Sequence, residues 1–177
     1  MRKVLVLTEQ KGWHFHQLEK SFLKKQIKME SCNLTDMSLS LVENENKVFA
    51  NGKELNDITD VLVRFIPNGT LEEIVTYLNI LKVFKMNGVN VMNSAENIEM
   101  TVDKSLTTAL LNQKDIYTPQ TWVIRGIKET KRLVKKLLKK HSLIYKPIFG
   151  SQGNDVKKIE NIQDLESITN NTNIYYL

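Results

Sequence analysis

The chain has 177 residues, of which 41% are hydrophobic and 25% are charged, a composition typical of a folded globular protein and not of a disordered one. The single cysteine, Cys32, excludes an intramolecular disulfide framework and a zinc site of several cysteines. No apolar run approaches the roughly 20 residues of a membrane span. We therefore expect a cytoplasmic protein without membrane partners. The net charge of +5 comes mainly from lysine, which lacks the forked geometry that arginine offers to phosphate and guanine, and we therefore do not expect a nucleic-acid partner.

The first half of the chain alternates predicted strands with predicted helices. Short apolar runs predict the strands, and apolar residues at helical spacing predict the helices. The strands are expected at 3–7, 61–63 and 89–92, and the helices at about 16–26 and 70–87. Thr70 and Glu73 form a predicted capping box for the second helix, and Gly88 is placed to end it. Short connections between alternating elements predict an α/β fold with a parallel sheet, which we assign to residues 1–94.

Residues 29–57 and the second half of the chain are less regular. In 29–57, alternating apolar residues and the turn signals at 43–46 and 51–52 predict a small hairpin or an excursion at the sheet edge. The regular alternation of predicted strands and helices ends after residue 94, and we assign a second unit to 95–177. Helices are expected there at 95–101, 103–114, 130–141 and 162–168, and strands at 120–124, 142–148, 156–159 and from 174. Because the last strand ends without a polar tail, we interpret the sequence as part of a longer protein.

The densest chemical signal is Lys146, followed by the loop residues Gly150, Ser151, Gln152 and Gly153. A lysine inside an apolar strand is costly to bury unless its ammonium meets an anion. Glycines close together let backbone N–H groups approach phosphate oxygens. The combination favours phosphate binding, although the lysine precedes the loop and the pattern is not a Walker motif. A hairpin turn with a lysine at the sheet edge explains the same residues equally well.

Arg64 and His14 are candidate substrate-binding residues. Arg64 ends a central strand, where parallel sheets place their ligands, and it can pair either with a substrate carboxylate or with a structural acid. His14 and His16 follow the first strand and would not share a face of a helix, so we favour His14 as a substrate-lining residue over a metal site. The lysine-rich segment 128–140 is expected to be a solvated helix face, with nucleic-acid binding as the alternative.

Several motifs follow one another in a fixed order. They are Asn93-Ser94, Asp103-Lys104, Thr118–Thr121, Tyr145–Pro147 and Gly150–Gly153, with Gly12–His14 and Arg64–Glu73 upstream. This series resembles the ATP-grasp superfamily and, more narrowly, the RimK-type glutamate ligases. The upstream motifs are most similar to the branch of tetrahydromethanopterin:glutamate ligases, and the resemblance extends over essentially the whole chain.

The resemblance implies a Rossmann-like pre-ATP-grasp domain at 1–94, followed at 95–177 by the first ATP-grasp subdomain, an α+β unit, without the catalytic C-terminal subdomain. Such enzymes use ATP to convert a carboxylate to an acyl phosphate, which an amino acid, often glutamate, attacks to form an amide. By this likeness, ATP is contacted by Lys104, Lys146, Gly150, Ser151, Gln152 and Gly153. The partners implied are a small-molecule carboxylate acceptor and glutamate, and the sequence allows a homo-oligomer.

Two further expectations follow from the family pattern. The catalytic residues and the Mg²⁺ ligands belong after residue 177, so we expect no metal site and no ATP turnover from 1–177 alone. Two aspartates replace usual glycines: Asp155 in the loop, where an anion opposes phosphate binding, and Asp115 at a helix end, where aspartate tolerates left-handed backbone. Asp155 keeps a second interpretation open, a non-catalytic ATP-grasp-like module that binds a nucleotide.

Overall fold

The computed structural model describes residues 2–148, 153, 155–168 and 173–177. The chain forms two compact units, residues 1–99 and 100–177. Among the helices in the described residues, none is long and apolar enough to cross a membrane.

The first unit combines a parallel sheet with a small antiparallel meander. Its elements in chain order are β1 (Lys3–Leu7), α1 (Trp13–Lys24), β2 (Lys28–Cys32), β3 (Met37–Val42), β4 (Glu45–Ala50), β5 (Lys53–Glu54), β6 (Asp60–Val63), α2 (Leu71–Met86) and β7 (Asn90–Met92). The parallel sheet has the strand order β2-β1-β6-β7, and β3, β4 and β5 pair antiparallel. The predicted α/β class with a parallel sheet is confirmed.

The two faces of the parallel sheet are covered by different helices. All five residues of β1 are buried. Leu5 and Leu7 belong to the main core with α2, whereas Val4 and Val6 pack with Phe15 of α1 on the other face. Because successive side chains of a strand point to opposite faces, this alternation places α1 and α2 on opposite sides of the sheet.

Strand β2 was missed by the sequence prediction, which left 29–57 as a hairpin or an edge excursion. The hairpin exists as β3–β4, but β2 is a full member of the parallel sheet beside β1. Its sequence lacks an apolar run because it is an edge strand. Lys28 and Glu30 alternate with its less polar residues, and the Glu30 carboxylate lies 3.0 Å from the Lys3 ammonium.

The ends of α1 and α2 differ in how clearly the sequence marks them. Helix α2 has the predicted capping box between Thr70 and Glu73, and Gly88 follows it with φ +80°. Helix α1 begins at Trp13, earlier than the predicted start near 16. Its N-cap is Gly12, which provides no side-chain hydrogen bond. Without a Ser, Thr, Asp or Asn at that position, the sequence carries no start signal.

The second unit is an antiparallel layer with short helices. Following α3 (Ala95–Val102), its elements are α4 (Lys104–Gln113), β8 (Val123–Arg125), α5 (Ile127–Leu137), β9 (Leu143–Tyr145), β10 (Lys157–Ile159), α6 (Ile162–Glu166) and β11 (Ile174–Tyr176). β8 pairs with β11 and β9 with β10, and a single bridge between Lys146 and Tyr176 joins the two pairs. Val134, Leu165 and Tyr175 belong to its core.

Several predicted bounds in this unit were displaced. Helix α5 runs over Ile127–Leu137 instead of 130–141. Its start is set by Gly126, whose carbonyl accepts a hydrogen bond from the buried Thr130 hydroxyl. Strand β9 ends at Tyr145, short of the predicted 148, because beyond it only the Lys146 bridge continues the pairing.

Candidate functional site

Lys104 is held at the first position of α4 by the cap that precedes it. The Asp103 carboxylate accepts hydrogen bonds from the backbone N–H groups of Ser105 and Leu106, at 2.8 and 3.1 Å. These are the donors that a helix leaves unpaired at its start. Asp103 is therefore the N-cap of α4. It fixes the backbone from which the Lys104 side chain extends.

Lys146 lies where the two strand pairs meet. Its backbone N–H donates to the carbonyl of Tyr176 at 3.0 Å, so Lys146 is not at a free sheet edge. Tyr145 pairs with Lys157 across the β9–β10 hairpin. The hairpin of the alternative interpretation is thus real, and it sets Lys146 at the beginning of the connection that contains the glycines.

The side chains of Lys104 and Lys146 approach each other within the second unit. The pKa of Lys104 is lowered by its partial burial and then by the neighbouring Lys146 ammonium, and Asp103 opposes the shift. The Lys104 ammonium also donates a 3.0 Å hydrogen bond to the carbonyl of Ile148. Two cations in a partly buried place favour the binding of an anion between them.

Tyr176 and Thr108 position this pair and were not singled out from the sequence. The Tyr176 hydroxyl lies 2.8 Å from the Thr108 hydroxyl, one helical turn after Lys104. The backbone of the same tyrosine carries the bridge to Lys146. Tyr176 thereby connects the helix bearing one lysine to the strand bearing the other. The one available signal was a phenol in an apolar strand, which needs a polar partner when buried.

The glycine loop falls partly outside the described residues. Gly150, Ser151 and Gln152 lie outside them, and their predicted role stays a prediction. Gly153 is exposed with φ +74°, and the following Asp155 has φ +59°. Asp115 also has a positive φ, +55°, as expected for an aspartate that replaces glycine at a helix end.

Arg64 and His14 come together in the first unit. Both line a cavity of about 200 Å³, together with Thr8, Gln10, Gly12 and Phe15. Thr8 directly follows β1, Arg64 directly follows β6, and the Arg64 backbone N–H donates to the carbonyl of Leu7 at 2.9 Å. His14 lies in the first turn of α1, whereas His16 lies 3.4 Å from Glu19. The structure therefore separates the two histidines and puts one beside the arginine.

The lysine-rich helix α5 has one buried side and charged residues around the rest. The cations of α5 surround a helix whose Val134 is fully buried, and two of them pair with acids, Lys131 with Glu166 and Arg132 with Glu129. Within the described ranges, no group of three or more His, Cys, Asp or Glu side chains is placed to hold a metal ion.

Comparison with protein-family models gives two adjacent matches. The RimK pre-ATP-grasp domain matches residues 1–98, and the RimK-like ATP-grasp domain matches residues 101–177. Among curated proteins, the chain is similar to the tetrahydromethanopterin:alpha-L-glutamate ligase of Methanosarcina acetivorans. The two are 24% identical over 168 residues, which are 90% of this chain and 50% of that protein. The chain thus spans half the length of this relative.

Solved structures share the fold. A RimK domain ATP-grasp protein from Sphaerobacter thermophilus has a TM-score of 0.74 at 18% identity, covering 98% of this chain and 62% of the other. The D-alanyl-alanine synthetase A of Vibrio cholerae has a TM-score of 0.67 at 10% identity, covering 99% and 58%. The ATP-grasp ligase PsnB, complexed with a minimal precursor, Mg and ADP, has a TM-score of 0.62 at 17% identity, covering 98% and 63%. The order of motifs predicted this result, and the chain belongs to the RimK-type ATP-grasp family.

Proposed function

We propose that the chain is the N-terminal part of an ATP-dependent carboxylate–amine ligase and that Lys104 and Lys146 bind the phosphates of ATP. The observation that carries the proposal is the proximity of the two lysines: the Lys104 ammonium donates to the carbonyl of Ile148, two residues after Lys146, and the Lys146 charge contributes to the lowered pKa of Lys104. Family membership supports the reaction class. A triphosphate between the lysines would replace the repulsion between their charges with attraction to the ligand.

The proposed reaction has two steps. A carboxylate oxygen of the acceptor attacks the γ-phosphorus of ATP, the bond to the β-phosphate oxygen breaks, and ADP leaves. The amine of an amino acid then attacks the acyl carbon, phosphate leaves with the C–O bond electrons, and the nitrogen loses a proton as the amide forms. Lysine ammonium groups stabilise the charge that develops on the transferred phosphoryl oxygens and on the leaving ADP.

Lys104 contacts the last residue described before the glycine loop. The Lys104 ammonium donates to the carbonyl of Ile148, two residues before Gly150 in the sequence. A phosphate bound to Lys104 would therefore lie near Ile148. Closure of that loop over the phosphates would keep water away from the acyl phosphate.

Magnesium has no ligand set of its own among the described residues, since no cluster of three acidic, histidine or cysteine side chains occurs there. Lys104 and Lys146 are cations and do not fit a metal ion.

Glutamate is the amino acid we propose to be added. The support is the name of the curated relative, a tetrahydromethanopterin:alpha-L-glutamate ligase. The acceptor is proposed only as a small molecule with a carboxylate, because identity to that relative is 24%.

A nucleotide-binding module without chemistry is the second candidate, and Asp155 favours it. The aspartate is exposed in the loop connection, where its charge opposes a phosphate. Trapping with hydroxylamine separates the two candidates, because hydroxylamine converts an acyl phosphate to a stable hydroxamate. The complete gene product, given ATP and carboxylate acceptors, forms a hydroxamate if it is a ligase. A module binds ATP and forms none.

Binding of ATP to the 177-residue chain tests the lysine pair. We expect Lys146→Ala and Lys104→Ala each to weaken ATP binding by at least about tenfold, since each removes charged hydrogen bonds to phosphate. Binding of AMP should change by less than about twofold, because AMP lacks the β- and γ-phosphates. Isothermal titration with both nucleotides measures the two affinities.

Lys139→Ala is the matched control, because Lys139 is an exposed lysine of the same unit. It should leave both affinities unchanged. ATP affinity that is insensitive to both site substitutions would contradict the proposal. An equal loss of ATP and AMP binding would contradict the assignment of the lysines to the outer phosphates.

A further inference from the structure

The cavity that contains Arg64 lies at a defined place in the sheet topology. In the strand order β2-β1-β6-β7, the chain leaves β1 through α1 toward one edge and leaves β6 through α2 toward the other. The two helices cover opposite faces. The order therefore reverses between β1 and β6. Open parallel sheets bind ligands outside the carboxyl ends of the strands at this point.

The cavity opens at that place. Thr8 follows the last residue of β1, Arg64 follows the last residue of β6, and both line it. Topology and cavity are independent observations, and they indicate the same location. The first unit thus has a ligand position of its own, built from residues within that unit.

The lining of the cavity favours an anion. None of its six residues is acidic. Arg64 is exposed, and among the residues that the structure describes no carboxylate lies within ion-pair distance of it. The structural ion pair that the sequence left open for Arg64 is therefore not formed among them. An arginine that a fold leaves beside a cavity presents its planar fork to a ligand carboxylate or phosphate.

The N-terminus of α1 also favours an anion in the cavity. Gly12 caps this helix without a side-chain hydrogen bond, and its first turn contains no acidic residue. The positive end of the helix is therefore not neutralised by the protein itself. His14 lies in that first turn and lines the cavity together with Arg64.

We propose that this cavity binds a small carboxylate through Arg64, with His14 as a second contact, and that the bound group is a substrate carboxylate that does not react. The identity of the ligand as a substrate rests on the proposed function, whereas anion binding does not. Pairing with a guanidinium withdraws charge from a carboxylate and makes it a poorer nucleophile toward phosphorus. Arg64 would therefore bind one carboxylate of the substrate and prevent its phosphorylation. The volume of about 200 Å³ suits a ligand of the size of glutamate.

The test uses glutarate as the dicarboxylate probe on the 177-residue chain. Its diamide, glutaramide, has the same skeleton without charge, and inorganic phosphate is the competing oxyanion. Titrations followed by ¹H–¹⁵N NMR should show glutarate shifting the Arg64 Nε–H signal and the amides of 13–15. Glutaramide should cause no such shifts.

Substitutions separate charge from geometry. Arg64→Gln should raise the dissociation constant of glutarate at least about tenfold. Arg64→Lys, which keeps the charge but loses the fork, should raise it about threefold to tenfold. Arg125→Gln removes an exposed arginine of the second unit and should change it less than about twofold.

Each result bears on the proposal. Glutarate affinity that Arg64→Gln leaves unchanged would overturn it, as would an absence of shifts at 13–15. Phosphate that binds more tightly than glutarate and loses its affinity in Arg64→Gln would overturn the carboxylate assignment. ATP binding should be unchanged in Arg64→Gln. If the lysine substitutions leave ATP binding intact while Arg64→Gln abolishes glutarate binding, the nucleotide assignment fails and the carboxylate site stands.

Discussion

Lys3 in the first unit is buried and Lys104 in the second is half-buried. Their surroundings nevertheless shift the pKa values of the two lysines in opposite directions. The Lys3 ammonium lies 2.7 Å from the Asp57 carboxylate and 3.0 Å from that of Glu30, and hydrogen bonding to Asp57 raises its pKa. Burial and the Lys146 ammonium lower the pKa of Lys104. One lysine is fully engaged by acids of its own fold, and the other lies beside a second cation.

The pH dependence of folding stability therefore has opposite signs for the two lysines. A raised lysine pKa stabilises the folded state at neutral pH, and this stabilisation is lost as pH rises from the ordinary value of 10.5 through the folded pKa. A lowered pKa has the reverse effect. The lowered pKa of Lys104 makes a destabilising contribution at neutral pH, and this contribution is relieved as pH rises through the folded pKa toward 10.5. An anion that binds beside Lys104 relieves the same penalty.

Replacing each lysine with methionine gives the largest expected difference. Lys3→Met removes the ion-pair partner of Asp57 and leaves Glu30 with Lys28, 3.5 Å away, and we expect the free energy of unfolding of the first unit to fall by about 2 kcal/mol. Lys104→Met removes a partly buried charge together with its hydrogen bond to Ile148, and the two effects nearly cancel, within about 0.5 kcal/mol. Amide hydrogen exchange in β1 and in β9 reports the two units separately.

Lys20→Met is the control, because Lys20 is exposed on α1, and it should leave exchange in both units unchanged. If Lys104→Met destabilises the second unit as much as Lys3→Met destabilises the first, Lys104 is a structural residue. The contrast between the two lysines would then be lost.

Acid should destabilise the first unit, by an amount somewhat smaller than the loss of stability expected for Lys3→Met. Two Arg2 nitrogens lie 2.6 and 2.8 Å from the Asp60 carboxylate oxygens, and this hydrogen bonding holds the pKa of Asp60 well below its ordinary 3.8. The stabilisation is present above 3.8 and is lost as pH falls toward the folded pKa. Asp60→Asn should lower the free energy of unfolding by about 1 to 2 kcal/mol near pH 6. It should also flatten the decline below about pH 4.

Glu9→Gln is the matched control, an exposed carboxylate of the same unit. It should leave the acid dependence of exchange in β1 as steep as in the parent chain. A decline as steep in Asp60→Asn as in the parent would mean that other carboxylates carry the acid response.

The sequence predicted those parts of the fold whose causes are local. The capping box of Thr70 and Glu73 and the apolar run of β6 are encoded within a few residues, and both were recognised. Strand β2 was not, because its polar residues are explained by Lys3, which is distant in sequence. The edge position of β2 cannot be read from β2 itself.

The candidate site, like the fold, has parts that the local sequence predicts and parts that depend on residues distant in sequence. Lys146 was singled out from its place in an apolar strand before a glycine loop, and Lys104 from the order of family motifs, whereas the proximity of the two lysines depends on the fold. Thr108 and Tyr176, which connect their two elements, are 68 residues apart, and no local pattern links them. Arg64 was recognised from its place at a strand end, but whether it pairs with an acid depended on side chains from elsewhere in the chain.

The ends of α2 and α4 continue the comparison at the level of the backbone. Each helix ends in the same pair of hydrogen bonds around a residue with positive φ. That residue is Gly88 after α2, with φ +80°, and Asp115 after α4, with φ +55°. The Val89 N–H donates to Phe84 and the Ile116 N–H donates to Leu111, each at 3.0 Å. The two units therefore make the same turn with different residues.

Exchanging the two residues gives the smallest predicted effect. Gly88→Asp should lower the stability of the first unit by about 1 kcal/mol, and Asp115→Gly should raise that of the second by about 0.5 kcal/mol. The difference comes from the backbone alone at Gly88, because no heavy atom lies within 4 Å of a Cβ added there. Exchange in β1 and β9 measures both changes. If Asp115→Gly destabilises its unit, the aspartate side chain contributes more than its left-handed backbone costs, and the two helix ends are stabilised by different means.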